Sequence, residues 1–68
     1  MNDKVFKLVE LTGTSAKSVE DAVQTALAKA AETAGQLRWF EVVEIRGAVD
    51  QDKVSQWQVT IKVGAVEA

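Results

Sequence analysis

The sequence predicts an α+β subunit of order β-α-β-β. The residues before Gly13 are rich in Val, Leu and Phe, as in a strand. Behind Ser18, apolar residues recur at three- and four-residue spacings, which is the signature of one helical face. Beyond Gly35, two long strand-like segments flank Asp50-Gln51-Asp52, the pattern of a hairpin.

The first strand is expected over Lys4 to Thr12 (KVFKLVELT), closed by Gly13. Its apolar residues fall on both parities, Val5, Val9 and Leu11 against Phe6 and Leu8, so both faces require cover. The helix is expected at 18–34. Ser18 is its N-cap, with Asp21 at N3 and Glu20 beside it. Val19, Ala22, Val23, Ala26, Leu27 and Ala30 form the apolar stripe, and the alanines allow close approach to a sheet. Gly35 supplies the stop.

Two strands follow at 37–49 and 53–66, antiparallel because a short turn joins them. Trp57, Val59, Ile61 and Val63 share one face of the last strand; Gln56, Gln58, Thr60 and Lys62 share the other. The middle strand changes phase, with Phe40 and Val42 on even positions and Val43 and Ile45 on odd ones. A single β-bulge near 43–44 restores a common face. With Phe40, Val42 and Ile45 then facing the helix, Trp39, Arg46 and Gln58 face away from it.

A chain of 68 residues, 47% of them hydrophobic, corresponds to one domain over 1–68. Such a chain buries only about 60% of its unfolded surface, so its own core is marginal. It has neither cysteine nor histidine. That excludes disulfides, Cys/His metal sites and the histidine-based catalytic triads, and leaves oligomerisation as the support. Strands of about twelve residues span about 40 Å, against roughly 28 Å for the diameter of a compact chain this long. They must curl around the helix or overhang onto neighbours.

Ten acids and eight bases give a net charge of −2, with no basic stripe for nucleic acid or a membrane surface. No apolar run approaches the ~20 residues of a membrane span. Met1-Asn2-Asp3-Lys4 lacks the apolar core of a signal peptide, so a cytoplasmic location is expected.

An outward tryptophan with a glutamine and an arginine suits a planar ligand with polar edges. Spacing alone favours the plainer assignment of Trp39 to a subunit interface, where tryptophan is enriched. Trp57 lies in the apolar phase of its strand and is expected in the core. Gly13-Thr14-Ser15-Ala16-Lys17-Ser18 lacks the first glycine of a phosphate-binding loop and reads as a turn into a capped helix. Glu41 and Glu44 have no partner acid–base group and read as solvated or salt-bridged side chains. No catalytic centre is expected.

Taken in order, Val5-Phe6-Lys7, Glu10-Leu11-Thr12-Gly13-Thr14-Ser15, Ser18-Val19-Glu20-Asp21-Ala22, Arg38-Trp39-Phe40-Glu41-Val42, Ile45-Arg46-Gly47 and Gln58-Val59-Thr60-Ile61-Lys62-Val63-Gly64 resemble the dodecin family. The resemblance implies a three-stranded antiparallel sheet wrapped around one helix, assembled into a hollow homododecamer that binds flavin, FMN or riboflavin. It implies that Trp39 stacks on the isoalloxazine ring and that Gln58 hydrogen-bonds the ring's polar edge. It places Arg46 beside the pocket and Lys4 where a phosphate-contacting lysine occurs. The chain departs at its end. Bacterial dodecins often continue Gly-Phe-Arg, whereas this sequence has Gly64-Ala65-Val66, so the arginine expected on the FMN phosphate is absent.

The function so implied is flavin storage or sequestration without enzymatic activity. The alternative is a structural or interaction shell whose flavin pocket is vestigial, or one that binds another nucleotide-like ligand such as coenzyme A. A flavin enzyme is disfavoured, because a face-to-face flavin pair leaves no room for a substrate over the reactive ring.

Overall fold

The computed structural model describes residues 3–67 of the chain. Its elements are β1 (Phe6–Ser15), α1 (Val19–Ala34), β2 (Leu37–Asp50) and β3 (Lys53–Val66). The strands form an antiparallel sheet of order β1-β3-β2, so the cleanly alternating strand β3 lies in the middle. Central placement explains its two-sided pattern. Val59, Ile61, Val63 and Ala65 are fully buried against the helix, while the residues between them line the opposite face.

The helix forms where the cap and stripe place it. Ser18 Oγ accepts the backbone N–H of Asp21 at 3.0 Å, and Glu20 and Asp21 put negative charge at the positive end of the helix dipole. Gly35 ends it at φ 88°, a conformation that glycine adopts without steric cost. Ala22, Val23, Ala26 and Ala30 pack on Val59, Ile61 and Val63 to make the core, with Trp57 packed partly buried against it. Burying each valine or isoleucine contributes about 1.5–3 kcal/mol.

The first strand corrects the sequence reading. It does not end at Gly13 but continues to Ser15, pairing Gly13 with Val59 and Ser15 with Trp57. Gly13 is there because the helix backbone crosses it. A Cβ at that position would stand 2.9 Å from Ala26 Cβ and closer still to the Ala22 carbonyl oxygen. Glycine here marks close backbone approach and not a strand end. The strand stops at Ser15, whose buried hydroxyl donates to the Asp21 carboxylate at 2.7 Å and accepts the Lys17 and Ser18 N–H groups.

The β2–β3 hairpin is tighter than expected, since Asp50 pairs with Lys53 and only Gln51 and Asp52 turn. Their φ values of 52° and 65° suit a two-residue turn with both central residues left-handed. The inferred bulge is present. Val42 pairs with Ile61 and Glu44 with Thr60, leaving Val43 unpaired. Two more irregularities lie between Leu37 and Trp39 and between Ala48 and Val49. As a result Phe40, Val42 and Ile45 pair with Val63, Ile61 and Val59 on the helix-facing side.

The helix sits chiefly over β1 and β3 and leaves β2 almost bare. The described subunit measures 56 × 19 × 13 Å, with a radius of gyration of 14.0 Å. A compact chain of this length would have about 11 Å. Long strands overhanging a small core account for the difference.

Candidate functional site

The sheet face turned away from the helix is built in rows across the strands. Leu8, Gly64 and Trp39 form one row, Glu10, Lys62 and Glu41 the next, then Thr12, Thr60 and Glu44, and finally Thr14, Gln58 and Arg46. The sequence-predicted Trp39, Arg46 and Gln58 therefore share this face, as their parity requires.

Trp39 owes its pose to its neighbour in the row. A Cβ on Gly64 would fall 2.6 Å from the indole Nε1 and closer to Cε2 and Cζ2, so the ring lies flat over the glycine. Phe6 abuts it edge-on, with ring centroids 6.3 Å apart and an interplanar angle of 63°. One face of the indole is thus seated and the residue remains 43% exposed. Neither Phe6 nor Gly64 was singled out for this role by sequence reasoning. A glycine inside an otherwise regular, alternating strand was the available signal.

Gln58 is also held. Arg46 Nε donates to its Oε1 at 2.7 Å, and its Nε2 donates to Gln56 Oε1 at 3.0 Å. An amide offers two N–H groups and two carbonyl lone pairs. The Gln56–Gln58–Arg46 chain uses one of each and fixes the direction of the rest. Gln58 consequently presents one donor and one acceptor side by side, a match for a cyclic imide edge. Gln56 is the member of this chain that the sequence did not reveal.

The two groups are not brought together within one subunit. Trp39 is level with Gly64 and Gln58 stands six residues away along β3, about 20 Å at strand spacing. Lys4 precedes β1, and the neighbouring Val5 carbonyl accepts the Glu67 N–H at 2.9 Å, so Lys4 lies at the Trp39 end. Arg46 lies at the Gln58 end. A ring seated on Trp39 reaches a Gln58 only if another copy supplies it.

A β-α-β-β subunit with one helix on a three-stranded sheet, a seated aromatic plate and an oriented amide has the parts of a small ligand-binding fold. The dodecin family model matches residues 5–66, and the chain belongs to the dodecin family. It is 51% identical over 61 residues to the dodecin of Thermus thermophilus, which covers 90% of this chain and 88% of that one. The solved dodecin of Streptomyces davaonensis superposes with a TM-score of 0.93 at 34% identity, over 98% of both chains. That of Streptomyces coelicolor gives 0.93 at 35% identity, over 100% of this chain and 97% of its own.

Proposed function

We propose that this protein is a non-enzymatic flavin-binding dodecin, a homododecamer that stores or sequesters FMN or riboflavin in the cytoplasm. The observation that carries this reading is the indole of Trp39, seated flat on Gly64 with its other face free. Stacking on such a plate is sequence-economical and strong, worth about 1–3 kcal/mol for a base-sized ring. Gln58, aligned by Arg46 and Gln56, supplies the donor and acceptor for the ring's polar edge, from a neighbouring copy. Lys4, at the Trp39 end, meets the ligand's anionic tail as a point charge. Bound flavin brings a fluorescent ring, and an indole in contact with it quenches that emission. All remaining work falls to the chain: holding the ring, orienting its edge and excluding water.

The test is a fluorescence titration of the apo-protein with FMN and riboflavin, beside light scattering. A mass of about twelve times the 7.4 kDa chain is expected, with quenching of added flavin. Trp39→Ala should weaken binding tenfold or more, while Trp57→Phe, in the helix-facing core, should leave it unchanged. A full-size assembly that quenches neither flavin would instead favour the vestigial-pocket reading, with coenzyme A the next ligand to titrate.

A further inference from the structure

The direction of the Gln58 amide is dictated by the groups at its two ends. Arg46 donates to it from Nε at 2.7 Å, and a guanidinium has donors but no acceptor, so the oxygen must face Arg46. The other end is then the amide NH2, which can only donate. It meets Gln56 at 3.0 Å, so Gln56 must turn its own oxygen toward Gln58. Hydrogen-bond polarity thus passes from the cation on β2 through Gln58 to Gln56. Nothing nearby competes for the Gln56 oxygen. Its cross-strand neighbour is Ala48, and β1 ends at Ser15, one residue short of pairing with it.

A single bond to Arg46 would leave the Gln58 amide free to turn, because a terminal sp³–sp² torsion has a broad well. The second bond, from the opposite end, fixes the amide plane. Two hydrogen-bonding positions then remain on Gln58: one lone pair of Oε1 on the Arg46 side and one N–H of Nε2 on the Gln56 side. A ring edge with an N–H beside a carbonyl satisfies both. An edge whose N–H is blocked leaves the oxygen without a partner. We infer that Gln56 is a positioning residue for ring-edge selection: acting through Gln58, it makes the site prefer a ring with a free imide N–H. This rests on the flavin reading above, in which a neighbouring copy's Trp39 carries the ring, and names what sets the specificity of that site.

The experiment titrates wild type, Gln56→Leu, Gln56→Ala and Gln56→Glu with riboflavin and with 3-methylriboflavin, whose imide N–H is replaced by N–CH3. Light scattering on each checks that assembly is intact. Wild type should prefer riboflavin about tenfold or more, since the methylated ring leaves the amide oxygen unpaired. Gln56→Leu and Gln56→Ala remove the acceptor that anchors Nε2, and the amide must then be ordered by the ligand. The preference should fall about three- to tenfold, through weaker binding of riboflavin while 3-methylriboflavin binds as before. Gln56→Glu keeps an acceptor for Nε2 and should retain the wild-type preference. A residue that merely supported the fold would change both affinities together and leave their ratio alone. The inference fails if Gln56→Leu and Gln56→Ala keep the wild-type ratio, or if Gln56→Glu loses as much as they do. It fails too if wild type binds both rings equally, and in each of these cases riboflavin binding leaves the flavin reading standing. Should wild type bind neither ring, both would fall together.

Discussion

Replacement of Gly64 by alanine isolates what the indole's seat contributes. Gly64 does not adopt a positive φ, so alanine is tolerated by the backbone. The three atoms nearest the added methyl all belong to the Trp39 ring, Nε1 at 2.6 Å with Cε2 and Cζ2 nearer. Ordinary van der Waals contact begins at 3.4 Å, so the ring must lift or slide by about 1 Å. Because Trp39 is 43% exposed, it can move without crushing a neighbour. The stability cost should therefore fall at the low end of overpacking, about 1 kcal/mol.

The larger effect should be on geometry. An indole lifted off the strand also loses its edge contact with Phe6, and its free face no longer lies parallel to the sheet. Stacking of about 1–3 kcal/mol should be largely forfeited, an affinity loss of roughly five- to a hundredfold. The assay pairs flavin titration with near-ultraviolet circular dichroism, which reads the fixed environment of the tryptophans without any ligand. Gly64→Ala should lower the Trp39 signal, weaken flavin binding and leave the assembly mass unchanged. An unchanged dichroism spectrum together with wild-type affinity would refute the argument that the glycine seats the ring.

Gly13→Ala should behave differently, because its clash is with the Ala22 carbonyl and not with a free side chain. A loss of about 3 kcal/mol is expected in denaturant titration at fixed protein concentration, and an unchanged midpoint would contradict the close helix approach. The paired change Gln51→Asn with Asp52→Gly should raise stability by about 1 kcal/mol, since both positions have positive φ, where asparagine and glycine are the residues a two-residue turn prefers. Thermal unfolding at matched concentration measures it, and a lower midpoint would show that the native pair makes compensating contacts.

Much of the fold was legible because local patterns and burial agree. The Ser18 cap, the alanine-rich stripe and the alternation from Trp57 to Val63 each specify one element and one face. The phase change between Val42 and Val43 even located a bulge, since one inserted residue is what restores a strand's parity. The Arg38 bulge left no such trace. Leu37 and Trp39 are both apolar and both odd, so a regular strand would put them on one face, and only pairing with β3 separates them. Gly13 misled for a tertiary reason, because nothing in its own neighbourhood announces a helix carbonyl passing over it. For the site, parity gave the face of Trp39, Arg46 and Gln58 but not their distance along it. That distance follows only from counting outward from the turn, which sets Trp39 well beyond the level of Gln58.

Strand β2 is where the demands of fold and site converge. The accessible surface of the subunit is 4938 Å². A compact protein of 7.4 kDa exposes about 4,200 Å². The surplus, about 700 Å², approaches what one partner contributes to a standard interface. Much of it lies on β2, where Phe40, Val42, Val43 and Ile45 are about half exposed because the helix does not cover them. The same strand carries Trp39 and Arg46. Contacts that bury its apolar residues also bring another copy to the strand that carries Trp39. On the flavin reading, a ligand bridging Trp39 and a neighbour's Gln58 binds only the assembled form and stabilises it by mass action. A helix that covered β2 would make a better monomer and, on the same flavin reading, leave Trp39 without the neighbour that completes its site.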